Sequence, residues 1–205
     1  MSTKQLQSID IRVKKRICGH GVGWCFTLKH FYELHKHEAV KKTLQRLASA
    51  GFIRRLADDL YDYPGPPDQF GFSPPNIDNI AKALSEKDGV KIQPTGAYAA
   101  NVLGLSEQVP ARVVFATEGL SKKIRIEKLE LIFRRTSPKY MALAGTEMGL
   151  MIHALRHIGS RGVDERIKKN IKQRLQGLTP RQIGQLLKHS STWIRQMVEI
   201  LLVDA

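Results

Sequence analysis

The sequence predicts an α+β protein in two parts: a helical unit closed by a small β hairpin, then a mixed α/β region with a small sheet and a helical C-terminus. Three observations carry this. Apolar residues recur at steps of three and four before residue 51 and again beyond residue 138. The segments "FIRRLADDLYDYP" and "KIRIEKLELIFRR" read instead as pairs of strands. Between the two parts lies "PGPPDQFGFSPPN", 64–76, rich in proline and glycine. Such a run neither continues a helix nor pairs as a central strand. The expected division is 1–64, a linker at 65–76, and 77–205.

The chain has 205 residues, 42% of them hydrophobic, so a real core can form. Its net charge is +14, which points to a polyanionic partner, most often nucleic acid. No window approaches the ~20 apolar residues of a membrane span. The stretch MSTKQLQSIDIRVKK has no apolar run of the signal-peptide kind. Two cysteines without an export signal read as reduced thiols. The expected location is the cytoplasm, with no membrane partner.

In the first part, residues 3–17 read as a helix with Leu6, Ile9, Val13 and Ile17 on one stripe. Arg12, Lys14 and Lys15 lie off that stripe. Trp24 to Phe26 form a short extended segment, and Thr27 caps a helix holding Leu28, Phe31 and Leu34. Residues 37–51 form the clearest helix, with Val40, Leu44, Leu47 and Ala48 inward and Gly51 just past its end. Ile53–Leu56 and Leu60–Tyr63 are two strands around a turn at Ala57-Asp58-Asp59. Helix, strand, helix, helix, hairpin is the layout of a winged helix-turn-helix, whose third helix enters the major groove. Here that helix exposes Lys41, Lys42, Gln45 and Arg46. Lysine and arginine neutralise phosphates or read guanine, and glutamine can read adenine. Arg54 and Arg55 stand on the wing's first strand, and Lys14 and Lys15 complete the set assigned to DNA. The competing reading is a merely solvated face; the whole five-element layout with a basic third helix favours DNA.

"CGHGVGWC", 18–25, joins the first helix to the first strand and invites a zinc reading. Cys18, His20 and Cys25 supply at most three ligands where zinc takes four, usually as two close pairs. The G-x-G-x-G pattern follows a helix and lacks a G-K-[ST] ending, so it is no phosphate loop. A tight turn is expected, with Trp24 and Phe26 anchoring the strand.

The second part opens with a helix at 77–87, a strand at Val90–Gln93 and a small-residue helix in "PTGAYAANVLGL", 94–105. A strand at Arg112–Thr117 and a hairpin at 123–135 follow. Helices are expected at 138–143, 146–158, 163–175, 179–188 and 191–202. "HALRH" places His153 and His157 one turn apart, the metalloprotease spacing, but Ala154 stands where the general-base glutamate belongs. The alternative is a helix face beside Arg156 that contacts an anion. The basic helix "RGVDERIKKNIKQRL" reads as a partner surface or a solvated face. Carboxylates are scattered, with no cluster to hold nuclease metal ions, and no Ser-His-Asp or Cys-His grouping stands out. No catalytic residue, metal or cofactor is assigned.

These residues resemble a known family. "GWCFT", "AVKKTLQRLASAGFIRRL" and "LYDYP" are similar to the winged domain of AbiEi-type antitoxins of type IV toxin–antitoxin systems. "PTGAYAANVLGLSEQVPARVVFATEG" followed by "KKIRIEKLELIFRR" resembles the domain of unknown function that follows it in a bacterial branch. The resemblance spans about residues 5–160. It implies an antitoxin that represses its own operon by binding operator DNA and counteracts a nucleotidyltransferase-like toxin encoded next door. The different-class alternative is a stand-alone regulator or RNA binder without a toxin. One departure stands out: the family's wing usually turns at a glycine, whereas this chain has Ala57-Asp58-Asp59. An acidic tip repels phosphate, so the strand arginines are expected to take the backbone contact.

Overall fold

A computed structural model of the chain describes residues 8–67, 69 and 71–203. Leu6, the first member of the expected stripe, lies outside the described residues. The architecture is α+β with small sheets, and the chain forms two compact units, Met1–Gly89 and Val90–Ala205.

The first unit begins with α1 (Ile9–His20), which buries Val13 and Ile17. After β1 (Cys25–Phe26) comes a helical segment at Leu28–Leu34 that is 3₁₀ and not α. Its apolar residues explain this. Leu28, Phe31 and Leu34 repeat at a strict step of three, and three residues per turn stack them on one side. Next come α2 (His37–Ser49), β2 (Arg54–Ala57) and β3 (Leu60–Asp62). The strands form an antiparallel sheet in the order β1-β3-β2. Val13, Ile17, Phe26, Phe31, Val40, Leu44 and Ile53 pack as one core. The stripes read from the sequence are the inward faces of α1 and α2.

The expected domain boundary is corrected here. The Pro/Gly run does not separate the units, and the helix after it, α3 (Ile77–Asp88), belongs to the first. Arg54 donates to the Ser73 carbonyl at 3.1 Å. A Cβ on Gly65 would meet Val22 at 2.8 Å, so this run lies against the first unit. Asn79 Nδ2 donates to the Gly23 carbonyl at 2.8 Å. Lys29 Nζ donates to the carbonyls of Glu86 (3.0 Å) and Lys87 (2.9 Å), a cation at the negative end of a helix. Proline content sets local backbone shape; it does not say which body the next helix joins.

The second unit holds β4 (Ile92–Thr95), α4 (Gly96–Val102), β5 (Arg112–Thr117), β6 (Lys122–Ile126) and β7 (Leu129–Arg135). Sheet order is β4-β5-β7-β6, with β5 and β7 parallel and the outer pairs antiparallel. Register sets Val113 beside Leu131 and Phe115 beside Phe133, all buried, and the two phenyl rings stack at 5.5 Å. Then come α5 (Pro138–Met141), α6 (Glu147–Ile158), α7 (Glu165–Gln176), α8 (Pro180–His189) and α9 (Thr192–Val203). The basic helix α7 buries Ile167, Ile171 and Leu175. Two of its cations are tethers: Arg166 donates to the Leu105 carbonyl at 3.1 Å and Arg174 to that of Leu103 at 3.0 Å. Among the described residues no helix is long and apolar enough to cross a membrane.

Candidate nucleic-acid interface

Helix α2 presents the most concentrated set of sequence-assigned residues. Val40, Thr43, Leu44 and Leu47 point inward, which leaves Lys41, Lys42, Gln45 and Arg46 on the solvent side. Lys41 and Gln45 are four residues apart, as are Lys42 and Arg46, so each pair stacks along the exposed face. Among the described residues, Lys41, Lys42 and Gln45 have no ion-pair or hydrogen-bond partner. Their side chains are available to an incoming ligand.

Arg46 is not in the same state. Its Nη2 donates to Asp10 Oδ2 on α1 at 2.6 Å, and Thr43 Oγ1 donates to Asp10 Oδ1 at 2.6 Å. The hydrogen bond from Thr43, then that from Arg46, hold the Asp10 carboxyl below its usual range. Lys14 adds a weaker attraction to the same carboxylate, and its Nζ lies 5.4 Å from the centre of the Phe52 ring. Lys15 is exposed. The α1 edge of the surface therefore contains one carboxylate between two cations. Arg46 belongs to the expected DNA-facing set but is engaged by a partner 36 residues earlier in the chain.

The hairpin corrects a second expectation. Arg54 grips Asp62 directly across the strands, Nε to Oδ1 at 3.1 Å and Nη2 to Oδ2 at 2.6 Å. Asp62 is 1% exposed. This guanidinium neutralises a buried carboxylate, so it is not presented to DNA as expected. Arg55 is exposed and paired with Asp58 at 2.8 Å. The acidic tip is also half dismantled. Asp59, at φ 49°, turns inward, accepts from the Leu28 N–H at 2.8 Å and pairs with Lys87 at 2.7 Å. A carboxylate at the start of the 3₁₀ segment meets unsatisfied N–H groups there. Asp58 is the fully exposed one of the two, and Arg55 offsets it.

In "CGHGVGWC", α1 runs on through Cys18 and Gly19 to His20 before the turn. Gly21 and Gly23 both hold φ 84°, which favours glycine. Gly23 N–H donates to the Tyr63 carbonyl at 2.7 Å, closing the turn onto the sheet. His20 stacks on Trp24 at 3.8 Å, and Trp24 stacks on Phe26 at 4.6 Å. Among the described residues no group of three His, Cys, Asp or Glu converges as metal ligands do. The two thiols differ. Cys18 is exposed and Cys25 is buried; burial, aided by Asp62 opposite, pushes the Cys25 thiol up to about 12. A thiol reagent at neutral pH is expected to label Cys18 alone in the folded chain and both cysteines in denaturant. Equal labelling rates without denaturant would contradict the burial of β1.

The comparisons with known proteins add one finding. Residues 12–183 match the model of a family of unknown function, DUF6088. No curated protein matches the chain. The match covers most of both units, and the chain belongs to that family.

Proposed function

We propose that this member of the DUF6088 family binds duplex DNA, with its first unit acting as a winged helix-turn-helix. The observation that carries this is the order helix, strand, helix, helix, hairpin, with strands arranged β1-β3-β2, around a helix whose Lys41, Lys42 and Gln45 are exposed and, among the described residues, unpartnered. In this reading α2 is the recognition helix. Lys41 and Lys42 contact phosphates and Gln45 reads a base edge. Lys14 and Lys15 widen the phosphate contact. Arg54 supports the wing from inside, and Arg55 is the wing cation that reaches the backbone once it exchanges Asp58 for phosphate.

The resemblance of "YAANVLGLSEQVP" and its surroundings to AbiEi-type antitoxins supports a narrower role. The chain represses its own operon and counteracts a nucleotidyltransferase-like toxin encoded beside it. A stand-alone regulator or an RNA binder is the competing role.

The test is binding of the full chain to the duplex upstream of its own gene, to a scrambled duplex and to duplex RNA, across a salt series. Preference for the upstream DNA is expected. Replacing Lys41 and Lys42 by alanine is expected to weaken binding to every duplex and to lower the salt slope by about 2, roughly one per lost phosphate contact. Gln45→Ala is expected to relax discrimination at one base pair by about 1–3 kcal/mol. Equal affinity for both DNA duplexes would reduce binding to bulk charge. Preference for RNA would overturn the DNA assignment. Growth rescue from a co-expressed neighbouring toxin tests the antitoxin role separately.

A further inference from the structure

We propose that a basic cleft in the second unit binds the phosphate of a small phosphate monoester, of the nucleoside monophosphate class. The cleft, of about 260 Å³, lies among α5, α6 and the connection from α8 to α9. Lys139, Arg156, Lys188 and Arg195 line it, and among the described residues no aspartate or glutamate does. Elsewhere in this unit cations sit against carboxylates: Arg174 with Glu147, Lys168 with Glu165, Arg112 with Glu130. Here they do not.

The two arginines are oriented without being neutralised. Arg156 Nη2 donates to the His189 carbonyl at 3.4 Å, and its guanidinium lies 4.8 Å over the Tyr140 ring. Arg195 Nε donates to the Leu187 carbonyl at 3.2 Å. Each contact uses a small share of the five N–H donors of a guanidinium and aims the rest. Lys139 and Lys188 are exposed, with no partner among the described residues. Ser191, just before α9, also lines the cleft, and its buried Oγ has no hydrogen-bond partner among the described residues. His153 forms part of the wall, and burial and then Arg156 lower its pKa. The wall therefore holds four cations, with His153 and His189 beside them.

Two features select the ligand class. A monoester phosphate carries about −1.5 to −2 charges at pH 7, whereas a nucleic-acid backbone diester carries one. Four cations without an acid suit the former. A second hollow, of about 290 Å³, shares Tyr140, His153 and Arg156 with the first. Val114, Ala116 and the half-exposed Tyr140 ring offer an apolar and aromatic surface there, flanked by Arg134 and Arg135. An aromatic base has a stacking partner beside the phosphate. Together the hollows reach the size range of small-molecule sites, roughly 300–1,000 Å³.

The experiment is isothermal titration of the full chain at physiological ionic strength, where loose surface attraction is screened. The probes are AMP, UMP, inorganic phosphate, adenosine, and a short single-stranded oligonucleotide with hydroxyl ends. One variant pair is Lys139→Ala with Lys188→Ala. A charge-matched control is Lys123→Ala with Lys128→Ala, exposed residues that line neither hollow. The nucleotides are expected to bind, phosphate more weakly, and adenosine not measurably. The cleft pair is expected to weaken nucleotide binding at least tenfold, and the control pair less than twofold. Equal losses in both pairs, or no heat from either nucleotide at millimolar concentration, would overturn the proposal. So would displacement of AMP by the oligonucleotide, which would assign the cleft to a nucleic-acid backbone.

Discussion

Asp62→Ala is expected to destabilise the first unit by about 3–5 kcal/mol, the cost of leaving a charge unpaired in a protein interior. Asp62 sits on the middle strand, β3, opposite Cys25 on one side and Arg54 on the other. Its carboxylate is sealed from water, and both oxygens are taken by one guanidinium. A bidentate arginine–carboxylate pair is the strong form of this bond. Its removal takes the carboxylate from Arg54, whose side chain is only 23% exposed and keeps the Ser73 carbonyl, a neutral partner that does not offset its charge. The double change Arg54→Met, Asp62→Leu is expected to recover most of the loss, because replacing a buried pair by apolar groups of similar volume is often neutral. Denaturant unfolding reads this cleanly. The chain has two tryptophans, Trp24 in the first unit and Trp193 in the second. With Trp193→Phe as background, Trp24 reports the first unit alone. A loss below about 1 kcal/mol for Asp62→Ala, the range of exposed pairs, would refute the buried pair. The single change should abolish DNA binding with the fold, and the double should restore it; a double that folds and still fails would place Arg54 in the DNA contact after all.

Gly149→Ala is expected to destabilise the second unit by about 3 kcal/mol, the upper end of the usual overpacking cost of roughly 1–3 kcal/mol. Helix propensity alone predicts the opposite sign, a gain of about 1 kcal/mol for alanine over glycine. Gly149 lies in the first turn of α6, where its N–H donates to Thr146 Oγ1 at 3.2 Å. A Cβ there would fall 2.2 Å from the Leu143 carbonyl oxygen and 3.1 Å from Gln93 Oε1. Neither neighbour is a loose side-chain end. The Leu143 oxygen accepts from Thr146 N–H at 3.1 Å and from Thr146 Oγ1 at 2.7 Å. Gln93 is 1% exposed, and its Oε1 accepts from Gly145 N–H at 2.8 Å. The turn between α5 and α6 is thereby clamped to β4. Trp193 fluorescence in a Trp24→Phe background measures the loss; a neutral or stabilising alanine would mean that this turn gives way freely. Gly149 also lines the basic cleft, so nucleotide affinity should fall with it.

Much of the local structure was legible because it depends on neighbours in the chain. The inward stripe of α2 follows from Val40, Leu44 and Leu47 at helical spacing. The strand Arg112–Thr117 stands at the bounds that its apolar run predicts. The turn between β6 and β7 lies where apolar alternation is interrupted, with Glu127 at φ 53°. What the same signals could not reveal is the partner of each charge. Arg46 and Lys42 look alike in the sequence, four residues apart on one face. One is engaged by Asp10 and the other is unpartnered among the described residues. Arg54 and Arg55 are adjacent, yet strand alternation sends one to a buried carboxylate and the other to solvent. The basic cleft was readable only as His153 near Arg156, since Lys139, Lys188 and Arg195 join from three other stretches of chain.

The sequence by itself determined the α+β class, the positions of most helices and strands, the buried faces and the basic character, because periodicity, capping and charge are short-range properties. The tertiary structure alone decided that α3 joins the first unit, that β7 inserts beside β5 in parallel, and which cations are neutralised. An apolar stripe states that a surface will be covered, and a charge states that a partner or water is needed. Neither names the partner, which long-range packing selects among many comparable local solutions.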